Sequence, residues 1–99
     1  MSAQDDDFYI EQGSGNIFVD LGFDEVEAQV LNARSEVMVQ LVMFLQEQGW
    51  TQAEMARRLG ISQSRVSRLI NKKLDEFSFD MLLTLSARAG LHPEVRLAA

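Results

Sequence analysis

The sequence predicts an all-α fold, a small bundle of about five helices with short extended segments at both ends. Three observations lead to this prediction. Apolar residues recur at helical spacing along much of the chain. Residues that can cap a helix stand ahead of these apolar stretches, and glycines stand just behind them. In residues 52–71, small, apolar and turn-forming residues fit two short helices that cross closely.

We expect three regions along the chain. Residues 1–16 hold three consecutive aspartates together with glycine and serine, a composition typical of a flexible acidic tail. Residues 17–90 should form the folded domain, and residues 91–99 should form a C-terminal extended segment.

Two short stretches look extended. Residues 17–19 are a brief apolar run, and residues 94–97 alternate polar and apolar side chains after Pro93. Because one short strand is not stable alone, residues 94–97 should pair with residues 17–19, with a second copy of the chain, or with the sheet edge of a partner.

A long helix should follow Asp24, which can cap it with Glu27 as its partner, and should run to Gln48 before Gly49 ends it. Its apolar residues form two stripes, so its C-terminal half is apolar nearly all round. The first stripe contains Val26, Val30, Ala33, Val37, Leu41 and Phe44, and the second contains Leu31, Met38, Val42 and Leu45. Such a helix must be covered on both sides, either by the other helices or by a partner.

Residues 52–71 have the layout of a helix-turn-helix. Thr51 can cap the first helix with Glu54 as its partner, and Ser62 can cap the second helix. Ala56 lies where the two helices touch, and Gly60 lies where the turn needs a residue that tolerates positive φ. The buried contacts should come from Ile61, Val66 and Leu69.

The second helix of this motif should present a polar, basic face. At 100° per residue, Val66, Leu69 and Ile70 share one arc. The opposite arc holds Ser64, Ser67 and Arg68, with Arg65 on the flank. Hydrogen-bond donors and guanidinium groups on such a face suit the major groove of DNA, where Gln pairs with adenine and Arg with guanine.

After the motif, residues 72–75 should form a loop. Ser78 should cap a last helix over residues 79–89, closed by Gly90, with Phe77 packed on Leu82.

The charge distribution favours nucleic-acid binding by the second half of the chain. The net charge is −6, but residues 1–50 hold ten acidic side chains against Arg34 alone, whereas residues 51–99 hold eight basic side chains against five acidic ones. Phosphate attraction follows the local field rather than the total charge. The side chains that can form this basic surface are Arg57, Arg58, Arg65, Arg68, Lys72 and Lys73.

Composition argues against several other classes. The chain has no cysteine, and its single histidine, His92, precedes Pro93 in a predicted turn, so we expect no metal site, no cofactor and no catalysis. The longest apolar run is far shorter than the roughly 20 residues that span a bilayer, and no targeting signal is evident. We therefore expect a cytoplasmic protein.

The motif region resembles the xenobiotic-response-element (XRE) family of helix-turn-helix regulators, which includes phage repressors and many bacterial antitoxins. The resemblance covers residues 25–90, is strongest over residues 49–71, and implies a lambda-repressor-like bundle. More narrowly, the stretches NIFVDLGF at 16–23 and GWTQAEMARRLGISQSRVSRLINKKLDEFSFD at 49–80, with the short tail of polar and apolar residues, are similar to small HigA-type antitoxins. Such antitoxins are typically encoded beside a basic ribonuclease toxin.

The resemblance also implies roles for single residues. In the family the glutamine that opens each motif helix often touches DNA, which implies a phosphate contact for Gln52 and a base contact for Gln63. The resemblance likewise implies that Ser64, Ser67 and Arg68 face the groove. It also implies that Asn71, Lys72 and Lys73 contact the flanking DNA backbone. With the basic residues of the motif, the predicted DNA-binding set is Gln52, Arg57, Gln63, Ser64, Arg65, Ser67, Arg68, Asn71, Lys72 and Lys73.

We expect a sequence-specific transcriptional repressor that is the autoregulating antitoxin of a toxin–antitoxin pair. Its partners would be operator DNA, a second copy, and a basic toxin that the acidic half attracts. The homodimer is expected because a core this small gains from a second subunit, and because residues 37–45, Met81 and Leu85 offer surplus apolar surface. The alternatives are a stand-alone phage-type repressor and a protein-interaction module whose motif is degenerate; an enzyme ranks last.

Overall fold

The structure is a computed structural model that describes residues 16–99. The predicted acidic tail, residues 1–16, lies outside the described residues except for Asn16, and it stays a prediction. Residues 16–99 form α-helices, one 3-10 helix and no strand, which confirms the all-α fold. The elements are α1 Ile17–Asp20, α2 Glu25–Glu47, α3 Gln52–Leu59, α4 Gln63–Ile70, the 3-10 helix Leu74–Glu76, and α5 Phe79–Arg88.

The chain divides into two compact units, Met1–Ala33 and Arg34–Ala99. The first contains α1 and the start of α2, and the second contains the rest of α2 and every later element.

In the first unit, the prediction that residues 17–19 are extended is wrong, because they belong to α1. The cause is Asn16, whose side-chain oxygen accepts a hydrogen bond from the Phe18 N–H at 2.9 Å and caps the short helix. The Asn16 side-chain amide also donates to the Ala28 carbonyl at 3.1 Å. The rings of Phe18 and Phe23 pack edge to face with centroids 6.1 Å apart.

The predicted long helix is confirmed to within one residue at each end. The Glu27 N–H donates to the Asp24 carboxylate at 3.0 Å, and this bond holds the pKa of Asp24 below its ordinary value. Gly49 follows the helix with φ +73°, the left-handed conformation that glycine adopts at helix ends.

The core of the second unit lies between α2, α3, α4 and α5. Its buried side chains are Met38, Leu41, Val42, Leu45, Met55, Ala56, Leu59, Val66, Leu69, Phe77, Leu82, Leu85 and Ala89. Most of the apolar surface predicted to be surplus is therefore used inside this unit. On α2 the side chains of Val39 and Met43 remain exposed, whereas Leu85 is buried and Met81 is half-buried.

Two further expectations change after α4. The predicted loop over residues 72–75 runs into the 3-10 helix Leu74–Glu76, in which the Glu76 N–H donates to the Lys73 carbonyl at 3.0 Å. Residues 91–99 form neither helix nor strand, so the strand predicted at 94–97 is not formed within the single chain. Of its three predicted pairings, the one with residues 17–19 is not available because those residues are helical, whereas pairing with a second copy or with the sheet edge of a partner stays a prediction.

The last helix follows its prediction closely. The Met81 N–H donates to the Ser78 hydroxyl at 3.1 Å, and Gly90 follows the helix with φ +105°. Among residues 16–99, no helix combines the length and the apolar content needed to cross a membrane.

Candidate nucleic-acid interface

The two motif helices begin at the predicted capping residues. The Thr51 hydroxyl accepts the Glu54 N–H at 3.1 Å, and the Ser62 hydroxyl accepts the Arg65 N–H at 3.1 Å. In each case the cap satisfies an amide that has no partner within its own helix. Both helices therefore start where local side-chain chemistry places them.

The turn between α3 and α4 depends on Gly60. This residue has φ +71° and ψ 30°, and its N–H donates to the Ala56 carbonyl at 2.8 Å. The Ile61 N–H donates to the same carbonyl at 3.2 Å, which closes the end of α3. α3 and α4 pack against each other, and both contribute buried side chains, among them Leu59 and Val66, to the same core.

A side chain from α5 reaches this turn. The Arg88 guanidinium donates from Nη1 to the Leu59 carbonyl at 3.0 Å, at the last residue of α3. A cation at the C-terminal end of a helix is favourable, because the unpaired carbonyls carry partial negative charge. The same nitrogen would lie 3.2 Å from a Cβ placed on Gly60, so this position has little room for a side chain.

The exposed face of α4 carries the residues predicted to meet DNA. Its buried side is formed by Val66 and Leu69. The opposite side covers an arc of about 140° at 100° per residue. That arc contains Gln63, Ser64, Ser67, Arg68 and Asn71. All of these are exposed except Ser67, which is half-buried.

Two lysines follow α4, and their backbone amides bond to the carbonyls of its last turn. The Lys72 N–H donates to the Leu69 carbonyl at 2.9 Å, and the Lys73 N–H donates to the Arg68 carbonyl at 3.0 Å. This pair of bonds places Lys72 in the left-handed region at φ 57°. The Asn71 side-chain amide donates to the Ser67 carbonyl at 2.9 Å, so one of its donors serves the helix end. Both lysine side chains are exposed.

Two arginines of α4 are held by the segment that follows the helix. The Arg68 guanidinium donates from Nη1 to the Glu76 carboxylate at 3.1 Å. The Arg65 guanidinium carbon lies 4.4 Å from the centroid of the buried Phe77 ring. Arg65 is half-buried for this reason, which places it at the edge of the exposed arc, as its predicted flank position requires.

On α3, the arginines are paired with Glu54. Its carboxylate lies 3.6 Å from Arg57 Nη2 and 3.9 Å from Arg58 Nη2. Arg58 also lies over the ring of Trp50, with its guanidinium carbon 4.2 Å from the centroid. Gln52, the first residue of α3, is exposed, as is Arg57.

The structure thus places every predicted residue on the same two helices and at the end of α4, and it adds partners that sequence reasoning missed. The spacing of Glu54 and Arg58, four residues apart on one helix, was a visible signal for their pairing. The contact of Glu76 with Arg68 spans eight residues and a chain reversal, and that of Arg88 with Leu59 spans 29 residues, so helical spacing predicts neither. Within residues 16–99, no group of three or more His, Cys, Asp or Glu side chains is arranged to hold a metal ion.

A family model described as a helix-turn-helix domain matches residues 17–98. The match spans α1 to α5 and includes the motif built from α3 and α4. It confirms the expected helix-turn-helix architecture at the level of the domain family. No curated protein matches the chain. The narrower likeness to XRE regulators and HigA-type antitoxins stays a prediction.

Proposed function

Since the chain belongs to the helix-turn-helix domain family, we propose that it binds duplex DNA sequence-specifically and represses transcription. The observation that carries the proposal is the exposed polar arc of α4, with Gln63, Ser64 and Arg68 on its surface. A helix with this face fits the major groove, where its side chains meet base edges. The protein would act in the cytoplasm, on its own operator.

We assign base contacts to the arc of α4 and backbone contacts to its surroundings. Gln63 and Arg68 carry the planar groups that pair with adenine and guanine in two hydrogen bonds. Gln52, Arg57, Asn71, Lys72 and Lys73 lie around them and can meet phosphates, which fixes the register without reading sequence. Arg65 and Ser67 are half-buried and line the edge of the same surface.

A homodimer is part of the proposal, because a two-fold pair of such helices reads two half-sites. Half-sites one helical turn apart would lie roughly 34–36 Å from each other. Light scattering should give the mass of a dimer at micromolar concentration; a monomeric mass with and without DNA would reject this part.

The direct test is selection from a pool of duplexes with a randomised central region, using the full chain. An enriched sequence with two-fold symmetry is expected. A folded protein that enriches nothing would contradict sequence-specific binding and would favour a protein-interaction module with a degenerate motif.

A pair of substitutions then separates the assigned roles. Arg68→Ala should weaken binding to the selected site by about 1–3 kcal/mol and relax the base preference at one position. Lys73→Ala should weaken binding to all sequences alike. It should also lower by about one unit the salt slope, which is the slope of log affinity against log salt concentration. An Arg68→Ala variant that keeps the full preference for the selected site over random duplex would remove Arg68 from the base-reading set.

We propose a second function, neutralisation of a basic toxin by the first unit. Among the described residues this unit has an apolar surface, with Val26 71% and Val30 53% exposed. The other exposed large apolar residues of this unit are Ile17, Leu21 and Phe23. Among residues 16–33 the charged side chains are all acidic, namely Asp20, Asp24, Glu25 and Glu27. Opposite charge would speed encounter with a basic protein, and the apolar residues would provide the buried contact.

Co-purification tests this second function. The product of the adjacent gene should be toxic alone and should bind the intact chain, and Val26→Thr with Val30→Thr should weaken the complex. Val39→Thr is the control, since Val39 is also exposed on α2 but lies in the second unit. If the product of the adjacent gene neither binds the chain nor is toxic, the antitoxin function is contradicted and the stand-alone repressor remains.

A further inference from the structure

The contact between Arg68 and Glu76 joins the exposed face of α4 to the 3-10 helix that follows it. One guanidinium nitrogen lies 3.1 Å from one carboxylate oxygen. The side chains are 54% and 33% exposed, so the pair lies at the surface that would face DNA. A carboxylate at this place is unfavourable for a phosphate-binding surface, because it repels the DNA backbone.

We infer that Glu76 is a specificity-determining residue, which orients Arg68 for base contacts and suppresses its contacts with phosphates. The inference rests on the proposed sequence-specific DNA binding. It assigns to Glu76 a positioning role, since its carboxylate acts through the Arg68 guanidinium.

The hydrogen-bonding capacity of arginine allows Arg68 to contact Glu76 and a base edge at the same time. A guanidinium has five N–H donors in a rigid planar arrangement, and the contact with Glu76 uses one of its nitrogens. The remaining donors can still pair with a base edge while the carboxylate stays in place. The pair is neutral overall, however, so contact with a phosphate gains little from counterion release. Glu76 therefore opposes non-specific binding more than specific binding.

The neighbouring residue supports this role for the segment. Phe77 is 1% exposed and its ring lies under the Arg65 guanidinium, 4.4 Å from it. Glu76 and Phe77 thus hold two arginines that are three residues apart on α4. Restraint of long side chains before binding reduces the conformational entropy that is lost on binding. The anchored Phe77 fixes the position of Glu76 beside it.

Glu76→Gln tests the inference, because the amide keeps the shape and a hydrogen-bond acceptor but removes the charge. Glu54→Gln is the matched control: it removes the same charge from a carboxylate that also pairs with arginines, on α3. The probes are the duplex that the wild-type chain selects from a random pool, and a random duplex of equal length. Circular dichroism checks that each variant is folded.

For Glu76→Gln, affinity for the random duplex should rise, and the ratio of specific to random affinity should fall by about two- to fivefold, the range that an exposed ion pair supports. Its salt slope on random duplex should steepen by about one unit. Glu54→Gln should strengthen binding to both duplexes alike and leave the ratio of specific to random affinity unchanged.

An unchanged ratio in Glu76→Gln, or an equal fall in both variants, would overturn the role of Glu76. A wild-type chain that selects no sequence would instead overturn the proposed function itself. The two failures are therefore distinguishable in one set of measurements.

Discussion

Among residues 16–99, Lys72 is the one non-glycine residue with positive φ. A side chain in this conformation costs about 1–2 kcal/mol, because Cβ approaches the backbone, and glycine avoids this cost. Lys72 retains a charged side chain at the end of α4, next to Lys73. We interpret this as local strain accepted at a functional surface.

Lys72→Gly should separate stability from binding. The free energy of unfolding should rise by about 0.5–1 kcal/mol, because relief of the strain exceeds the added chain entropy of glycine. Duplex affinity should fall for all sequences, with a salt slope lower by about one unit. Chemical denaturation and binding at several salt concentrations measure the two effects.

Lys73→Ala is the control, since Lys73 has φ −77° and carries no such strain. It should lose the same phosphate attraction without the gain in stability. A Lys72→Gly variant no more stable than wild type would show that the left-handed backbone at this position is not strained.

At the scale of the elements, the turn between α3 and α4 is held in part by a residue outside the motif, Arg88. Arg88 on α5 donates to the Leu59 carbonyl at the end of α3, and Gly60 leaves room for this guanidinium. The angle between α3 and α4 therefore depends on α5 as well as on the turn itself.

Gly60→Ala should destabilise the fold more than Gly49→Ala. Both glycines have nearly the same φ, +71° and +73°, so the backbone strain of alanine should be similar, about 1–2 kcal/mol. At Gly60 the new methyl would also meet Arg88 at 3.2 Å, whereas at Gly49 nothing lies within 4 Å. Thermal unfolding should show a larger loss for Gly60→Ala, and duplex binding should weaken in that variant alone. Equal losses of stability in both variants would mean that the Arg88 side chain moves away from the new methyl group at no cost.

Local chemistry determines some elements of this fold and leaves others to contacts between distant residues. The caps at Thr51, Ser62 and Ser78 were predictable because the capping side chain and the amide it accepts are three residues apart. α1 was missed because a single side chain, Asn16, decides between helix and extended backbone for three apolar residues. The exposed arc of α4 followed from helical periodicity alone. Glu76 was missed because its contact with Arg68 requires the chain reversal at Lys72.

At the scale of the whole molecule, charge is divided between the two halves of the sequence. The chain carries −6 overall, although residues 51–99 have a basic surplus. The acidic half repels DNA at long range and would attract a basic partner. Both effects are screened over a Debye length of about 10 Å at 0.1 M salt.

Deletion of residues 1–12 tests this division, because it removes Asp5, Asp6, Asp7 and Glu11 and leaves the motif untouched. Association with duplex DNA should become faster at low salt, and the difference should vanish as salt rises. Association with a basic partner should become slower. Stopped-flow measurements at two salt concentrations record both rates, and a DNA rate unaffected at low salt would contradict the repulsion.

Trp50 is the single tryptophan of the chain, and it stands directly ahead of α3. Its indole is half-buried, packs edge to face on Phe44 at 6.5 Å, and lies under the Arg58 guanidinium. The protein thus contains an intrinsic optical reporter beside the surface assigned to DNA. Binding that draws Arg58 toward a phosphate should change the emission of Trp50, so titration with unlabelled duplex can be followed by fluorescence alone. Arg58→Gln should abolish most of that change while leaving the indole packed on Phe44.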